Sequence, residues 1–278
     1  MEAVTQLAPT TATRTAFSLG SVATLSRRRF QLAAATPREL VVPLITPALF
    51  ALVIAPALKT ALHASAAYES FIAVGTVGLL VPLNTMFAGL GVIVDRISGA
   101  QRELLTAPIP RSLLVFGNLV VALAVTGLQV AVLMGLAVAR RIHFDVTAGG
   151  VLWFLGAATL LSVALYGLAE ILAARVPRQE EYIARVPAVA ILPWFLAGAL
   201  FPITAMPTAL TGVAKVLPLT HALALMRYGL LQDASGLHNI WRTDNASVGA
   251  ALSLAVVAAF AFLLVALATR VFERSAVG

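Results

Sequence analysis

Six apolar runs dominate the chain, at residues 39–58, 70–94, 113–138, 150–174, 186–203 and 247–269. Their apolar positions are continuous rather than alternating, which favours helices over strands. At 1.5 Å per residue most are long enough to cross roughly 30 Å of hydrocarbon. The fifth is the shortest and carries Pro193 and Pro202. Pro43, Pro47, Pro82, Gly127 and Gly167 also fall inside runs. In a membrane bundle such residues are tolerated, and small ones let helices approach closely. The expected fold is therefore all-α membrane, with six transmembrane helices.

Two further segments depart from ordinary loops. Residues 14–36 mix Phe17, Leu19, Val22, Leu25, Phe30 and Leu32 with the cluster Arg27, Arg28 and Arg29. They read as an amphipathic helix lying at the membrane interface, its arginines near anionic headgroups. Residues 204–231 are largely apolar but punctuated by Pro207, Gly212, Pro218 and Gly229. Pieces that short cannot span, so two short re-entrant helices in the outer leaflet are expected between spans five and six. Thr220, following Pro218, is the expected cap of the second. The chain thus divides into a tail and interfacial helix at 1–38 and one transmembrane domain at 39–278.

Composition supports lipid as the solvent. The chain is 60% hydrophobic and 11% charged, against about 25% charge in soluble domains, and its mean hydropathy is positive. Cysteine is absent, which removes disulfides, thiol nucleophiles and Cys-based metal sites. The net charge of +7 sits between apolar runs, a pattern of membrane topology rather than of nucleic-acid binding. With the N-terminus placed in the cytoplasm, thirteen arginines fall on inner segments and six Lys or Arg on outer ones. Both termini are therefore expected to be cytoplasmic, in the plasma (inner) membrane. No apolar stretch with a cleavage site directly follows Met1–Thr13, so no secretory signal peptide is expected.

Catalytic motifs are lacking. The chain has no G-x-x-x-x-G-K-[ST] phosphate loop, no H-E-x-x-H and no G-x-S-x-G. His63, His143, His221 and His238 are scattered over predicted outer segments, so no metal site is expected. Intramembrane polar candidates are Asn84, Gln129 and Glu170. Glu170 is the main one, because an ionisable group at membrane depth is a functional candidate by default. The competing reading is a boundary carboxylate paired with Arg175. A proton-driven secondary carrier or a membrane-embedded enzyme would need these groups to converge near the midplane, and no convergence is evident.

The loop between runs two and three reads D-R-I-S-G-A-Q-R-E-L-L-T-A-P-I-P-R, residues 95–111. Residues 97–106 are expected to form a short surface helix. It could dock a soluble partner, with Leu104 and Leu105 as anchors and Arg102 and Glu103 on the rim; a plain solvated turn is the other reading.

At this loop the sequence resembles the ABC-2-type transporter permeases, particularly the daunorubicin-resistance-like branch of drug and lipid exporters. The family's arginine, glycine and acidic residue leading to a proline–arginine stop read here as Arg96, Gly99, Glu103, Pro108 and Arg111. F-P-I-T-A-M-P at 201–207 and V-L-P-L-T-H-A-L-A-L-M-R at 216–227 resemble the family's outer segment. The resemblance implies a permease half without its own ATPase site. It would pair with a second half, as homo- or heterodimer, and with two separate ABC ATPase subunits that bind ATP and Mg. Residues 96–111 would be the coupling helix. Spans one, two and five would line the path, and the outer helices, with Phe201, Pro202, Pro207, Pro218 and Arg227, would gate it. The few, widely spread aromatics favour a hydrophobic drug-like or lipid-like cargo over a polysaccharide.

Overall fold

The computed structural model describes residues 19–35, 45, 48–61, 63, 65–106 and 112–275. Every regular element among them is helical. The first is α1, Leu19–Ala35, which lies against the start of α6, Ser112–Ala139. Gly117 of α6 has no side chain to hold Leu25 away, and the Ser26 hydroxyl donates to the Gly117 carbonyl at 3.3 Å. Much of the first predicted span, including residues 39–44, lies outside the described residues. Its end is a π-helical turn, Phe50–Ile54, running into α2, Ala55–Ala61.

The second run becomes a rod in two pieces, α3 (Ala66–Ala88) and α4 (Leu90–Ile97), broken at Gly89. A short helix α5, Ala100–Thr106, follows. It starts three residues later than expected, because Gly99 at φ +82° forces a turn that residues with a Cβ rarely adopt. After α6 come α7 (Ala148–Arg175) and α8 (Gln179–Leu196). The Thr147 hydroxyl caps α7 by accepting from the Gly150 N–H at 3.0 Å.

The fifth predicted run, 186–203, is shifted: α8 begins earlier and stops at Leu196. Gly198 at φ +77° turns the chain out of the helix, and Phe201 and Pro202 lie beyond it. A 3₁₀ turn at Ile203–Ala205 leads to α9 (Thr208–Ala214) and α10 (Pro218–Leu231), which meet at 80°. Thr220 does not cap α10. Pro218 occupies its first turn, Leu217 is the N-cap, and the Thr220 hydroxyl is buried without a partner. Proline suits that position because its missing N–H would have had no intrahelical partner. The chain ends in α11 (Ser235–Trp241) and α12 (Ala246–Ser275).

Among the described residues, four stretches are long and apolar enough to cross a bilayer: Ala67–Ile97, Leu113–Ala139, Ala148–Arg175 and Ala246–Phe272. The bent α9–α10 pair would make a fifth if taken as one span. The protein is thus an all-helical integral membrane protein. Helix α7 is its axle, packed against α3, α6, α10 and α12. Glycines permit the tightest crossings. A Cβ on Gly150 would strike the Gly229 carbonyl of α10, and one on Gly229 would strike that of Gly150. On its other side Gly167 lies under the backbone of Leu264 and Val265 in α12. Without a hydrophobic driving force between helices in lipid, such close approach supplies the packing energy.

Candidate functional site

The α4–α5 end of the bundle holds Arg96, Gly99, Glu103 and Leu104 of the loop residues singled out from sequence. Helix α4 buries Val92 and Ile93 against Ala169, Ala173, Val176, Tyr182 and Val186 of α7, α8 and their junction. Its last turn is tied on two sides. Arg29 of α1 donates to both carboxylate oxygens of Asp95, at 3.2 and 3.1 Å. Arg96 donates to the carbonyls of Ala173 (3.0 Å) and Val176 (2.6 Å). These carbonyls lie at the C-terminus of α7, where backbone acceptors lack intrahelical partners. Arg96 therefore joins the loop to the α7–α8 junction.

Beyond Gly99, α5 turns Glu103 outward while Leu104 packs inward with Leu114, Val115 and Phe272. Leu104 thus meets its own bundle, while Glu103 and Thr106 are exposed. Gln101 lies beside it, its carbonyl oxygen buried and unpartnered. The backbone of Arg102 and Leu105 is in α5, but their side chains lie outside the described residues, as do Pro108 and Arg111 altogether.

Glu170 is buried, 3% exposed, and takes a hydrogen bond from the Tyr166 hydroxyl one turn earlier. Asn118 of α6 also bonds Tyr166, and Arg29 and Asp95 are the charged neighbours of Glu170. The pairing with Arg175 is not formed. Five residues on lies about 140° around the helix, and Arg175 is exposed. Asn84 and Gln129 keep unpartnered buried polar atoms. Counted along their helices from Ala66, Ala139 and Ala148, which share one end of the bundle, Asn84, Gln129 and Glu170 lie about 27, 15 and 33 Å deep, so Gln129 is set apart from the other two.

At the opposite end of the bundle Pro207 precedes α9 and Pro218 begins α10. Phe201 is 40% exposed, whereas Arg227 is 7% exposed. Its guanidinium donates to the carbonyls of Gly198 (2.9 Å) and Ala199 (3.0 Å) and stacks on Phe71. Phe201 and Pro202 line a cleft of about 710 Å³ with Tyr68, Phe71, His143, Asp145 and Leu231.

Sequence reasoning missed Tyr166, Tyr182, Glu69 and Trp194. The four-residue spacing of Tyr166 and Glu170 puts both on one helix face and was the available signal. Glu69 lay one residue outside the predicted second run. Tyr182 and Trp194 gave none, because their partners are 96 and 119 residues away.

A search of curated proteins finds no match. The family model for ABC-2 type transporters matches residues 20–231, from α1 through the last residue of α10. The match covers most of the 278 residues, and the chain belongs to the ABC-2 type transporter family.

Proposed function

We propose that this chain is the permease subunit of an ATP-driven exporter, coupled through α4 and α5 to separate ABC ATPase subunits that bind ATP and Mg. The family assignment implies such a partner and a membrane setting. The observation that carries the coupling assignment is the fastening of α4 by Arg29–Asp95 and by Arg96 on the end of α7. A docking loop must be stiff toward its bundle to pass a push onward, and α5 hangs directly from this fastened segment. Glu103 and the other exposed positions of α5 meet the ATPase; Leu104, packed inward, carries the displacement into α6 and α12.

In this reading the chain has six spans, the first ending in α2, with both termini cytoplasmic and α1 on the inner surface of the plasma membrane. Two permease halves enclose the path. The outer turn and the α9–α10 hairpin form its gate, and the scarcity of aromatic residues, 7% of the chain, favours a hydrophobic drug-like or lipid-like cargo leaving the cell.

The test is co-purification with a candidate ABC ATPase co-expressed with this chain. A stable complex is expected, with ATP hydrolysis stimulated by the permease. Glu103→Arg should weaken the complex about tenfold or more, the effect of 1.4 kcal/mol. A complex indifferent to charge reversal at Glu103 and to Leu104→Asp would remove the coupling assignment.

A further inference from the structure

Helices α3 and α8 run antiparallel and are fastened to each other at two points by ring donors. Near the inner end the Tyr182 hydroxyl donates to the Met86 carbonyl at 2.5 Å. Near the outer end the Trp194 indole N–H donates to the Gly75 carbonyl at 2.8 Å. Both rings are buried, Tyr182 completely. The fastenings are twelve residues apart on α8 and eleven on α3, or about 17 Å of helix. Two antiparallel rods held at matching separations cannot slide or rotate against each other without breaking one bond.

A glycine lies at each point. At the inner one, a Cβ on Gly89 would collide with the Tyr182 hydroxyl. At the outer one, a Cβ on Gly75 would collide with the Ala199 carbonyl, one of the two held by Arg227. Gly89 is also the break between α3 and α4. The Gly89 N–H bonds the Met86 carbonyl at 3.1 Å, and the Tyr182 hydroxyl adds a second, shorter bond to the same oxygen. A break in a helix is a soft point unless something fills it. Here the hydroxyl of a neighbouring helix does.

The route this defines is continuous. Displacement of α5 reaches α4 across Gly99. Arg96 carries α4 with the end of α7, and the Arg29–Asp95 pair ties it to α1. Helix α4 already packs on α8 through Val92 and Ile93, and at Gly89 the Tyr182 hydroxyl holds α3 to that same helix, so the joint moves with α8 instead of bending. Helix α8 leads directly into the 197–202 turn on which Arg227 sits. No other helix between α5 and the gate is hydrogen-bonded to α3 at both of these levels among the described residues.

We propose that Tyr182 and Trp194 are positioning residues of the coupling step, locking α3 and α8 into one body so that movement at the ATPase-facing loop becomes movement at the outer hairpin. The inference rests on the exporter reading above. Each bond is the second hold on its element, so removing one leaves the fold in place and loosens the transmission.

The absence of native cysteine allows the movement to be measured directly. One doubly spin-labelled chain per complex is reconstituted with the ATPase in lipid nanodiscs. An inner label pair is placed by Ile97→Cys on α4 and Arg270→Cys on α12, both exposed, and an outer pair by Thr208→Cys and Ser247→Cys. Distances are compared without nucleotide and after trapping with ATP and vanadate. In the otherwise unaltered chain both pairs should shift. With Tyr182→Phe the inner shift should persist while the outer shift falls at least threefold, with ATP hydrolysis retained. Trp194→Phe should do the same. Equal outer shifts in the variants and the parent would overturn the inference while leaving the exporter reading intact. No inner shift in the parent would instead defeat the exporter reading. If Tyr182→Phe does not yield a folded complex, Trp194→Phe decides by the same comparison. Failure of both to fold would make the bonds structural and also overturn the inference.

Discussion

The guanidinium carbon of Arg227 lies 3.4 Å from the centre of the Phe71 ring, while the terminal nitrogens reach the carbonyls of Gly198 and Ala199. One planar cation thus fastens α10 to α3 and to the turn after α8. Lysine keeps the charge but cannot stack on the ring and span two carbonyls at once. Arg227→Lys should cost about 1–3 kcal/mol, the expense of a buried acceptor left without its donor. Thermal unfolding in detergent measures the loss, and proteolysis within 197–207 should quicken alongside it. Stability equal to the parent's would show that the turn holds itself.

The crossing of α7 and α10 depends on Gly150 and Gly229, each facing the other's carbonyl. Neither backbone can retreat cheaply, so Gly150→Ala or Gly229→Ala should destabilise by about 1–3 kcal/mol. Gly127 in α6 is the control. Nothing stands within 4 Å of a Cβ built there, and Gly127→Ala should stabilise by about 0.5–1 kcal/mol. Thermal unfolding of the three variants should therefore split in sign. A uniform response would mean that the close approach is not what limits these positions.

The same contrast explains what could be read in advance. The predicted run 150–174 became Ala148–Arg175, because length and hydropathy follow from the bilayer alone. The α4–α5 loop was also legible, through its charges and Gly99. Facing was not. In water an apolar stripe marks the buried side of a helix. In lipid both sides are apolar, so the sequence does not distinguish Val257, packed inward, from exposed Phe262 on the same helix. Partner choice was hidden for a related reason. Arg96 reads as one more positive charge of an inner loop, yet its acceptors are carbonyls 77 and 80 residues on. Carbonyls carry no residue identity, so no pattern of letters announces them. Glu170 was visible as an oddity, but its local partner Tyr166 is uncharged and was passed over in favour of an arginine.

Asp95 and Arg29 make the tie from α1 to α4, with side chains 14% and 17% exposed. Gly91 leaves the room for it, since a Cβ there would occupy the space of the Arg29 guanidinium. Asp95→Asn should weaken the fold by about 1.5–3 kcal/mol, the range for hydrogen bonds to charged groups. Gly91→Ala should act in the same direction by displacing the arginine. Combining the two should cost less than their sum, because they remove one interaction. Strict additivity in thermal unfolding would mean that Gly91 serves something other than Arg29.

At the opposite end Glu69 accepts from Lys59 at 2.7 Å and faces Arg140 at 3.4 Å, and Arg140 also donates to the Ala51 carbonyl at 2.6 Å. This cluster anchors the π-helical turn and α2 to α3 and α6. Its arms are unequal. Lys59 is the most exposed member, 38% against 10% for Glu69 and 28% for Arg140, so solvent screens its contribution. Glu69→Gln removes the charge that both cations face but leaves Arg140 on Ala51. Arg140→Ala removes the bond to Ala51 and one of the two ion pairs together, and frees a carbonyl in apolar surroundings. Amide hydrogen exchange over residues 50–61 should therefore accelerate most in Arg140→Ala, less in Glu69→Gln and least in Lys59→Ala, with the core of α7 unchanged in all three. The order is the discriminating feature. If Lys59→Ala loosened 50–61 as much as Arg140→Ala, the exposed ion pair would be the anchor, and the bond to Ala51 would be incidental to how this end is held.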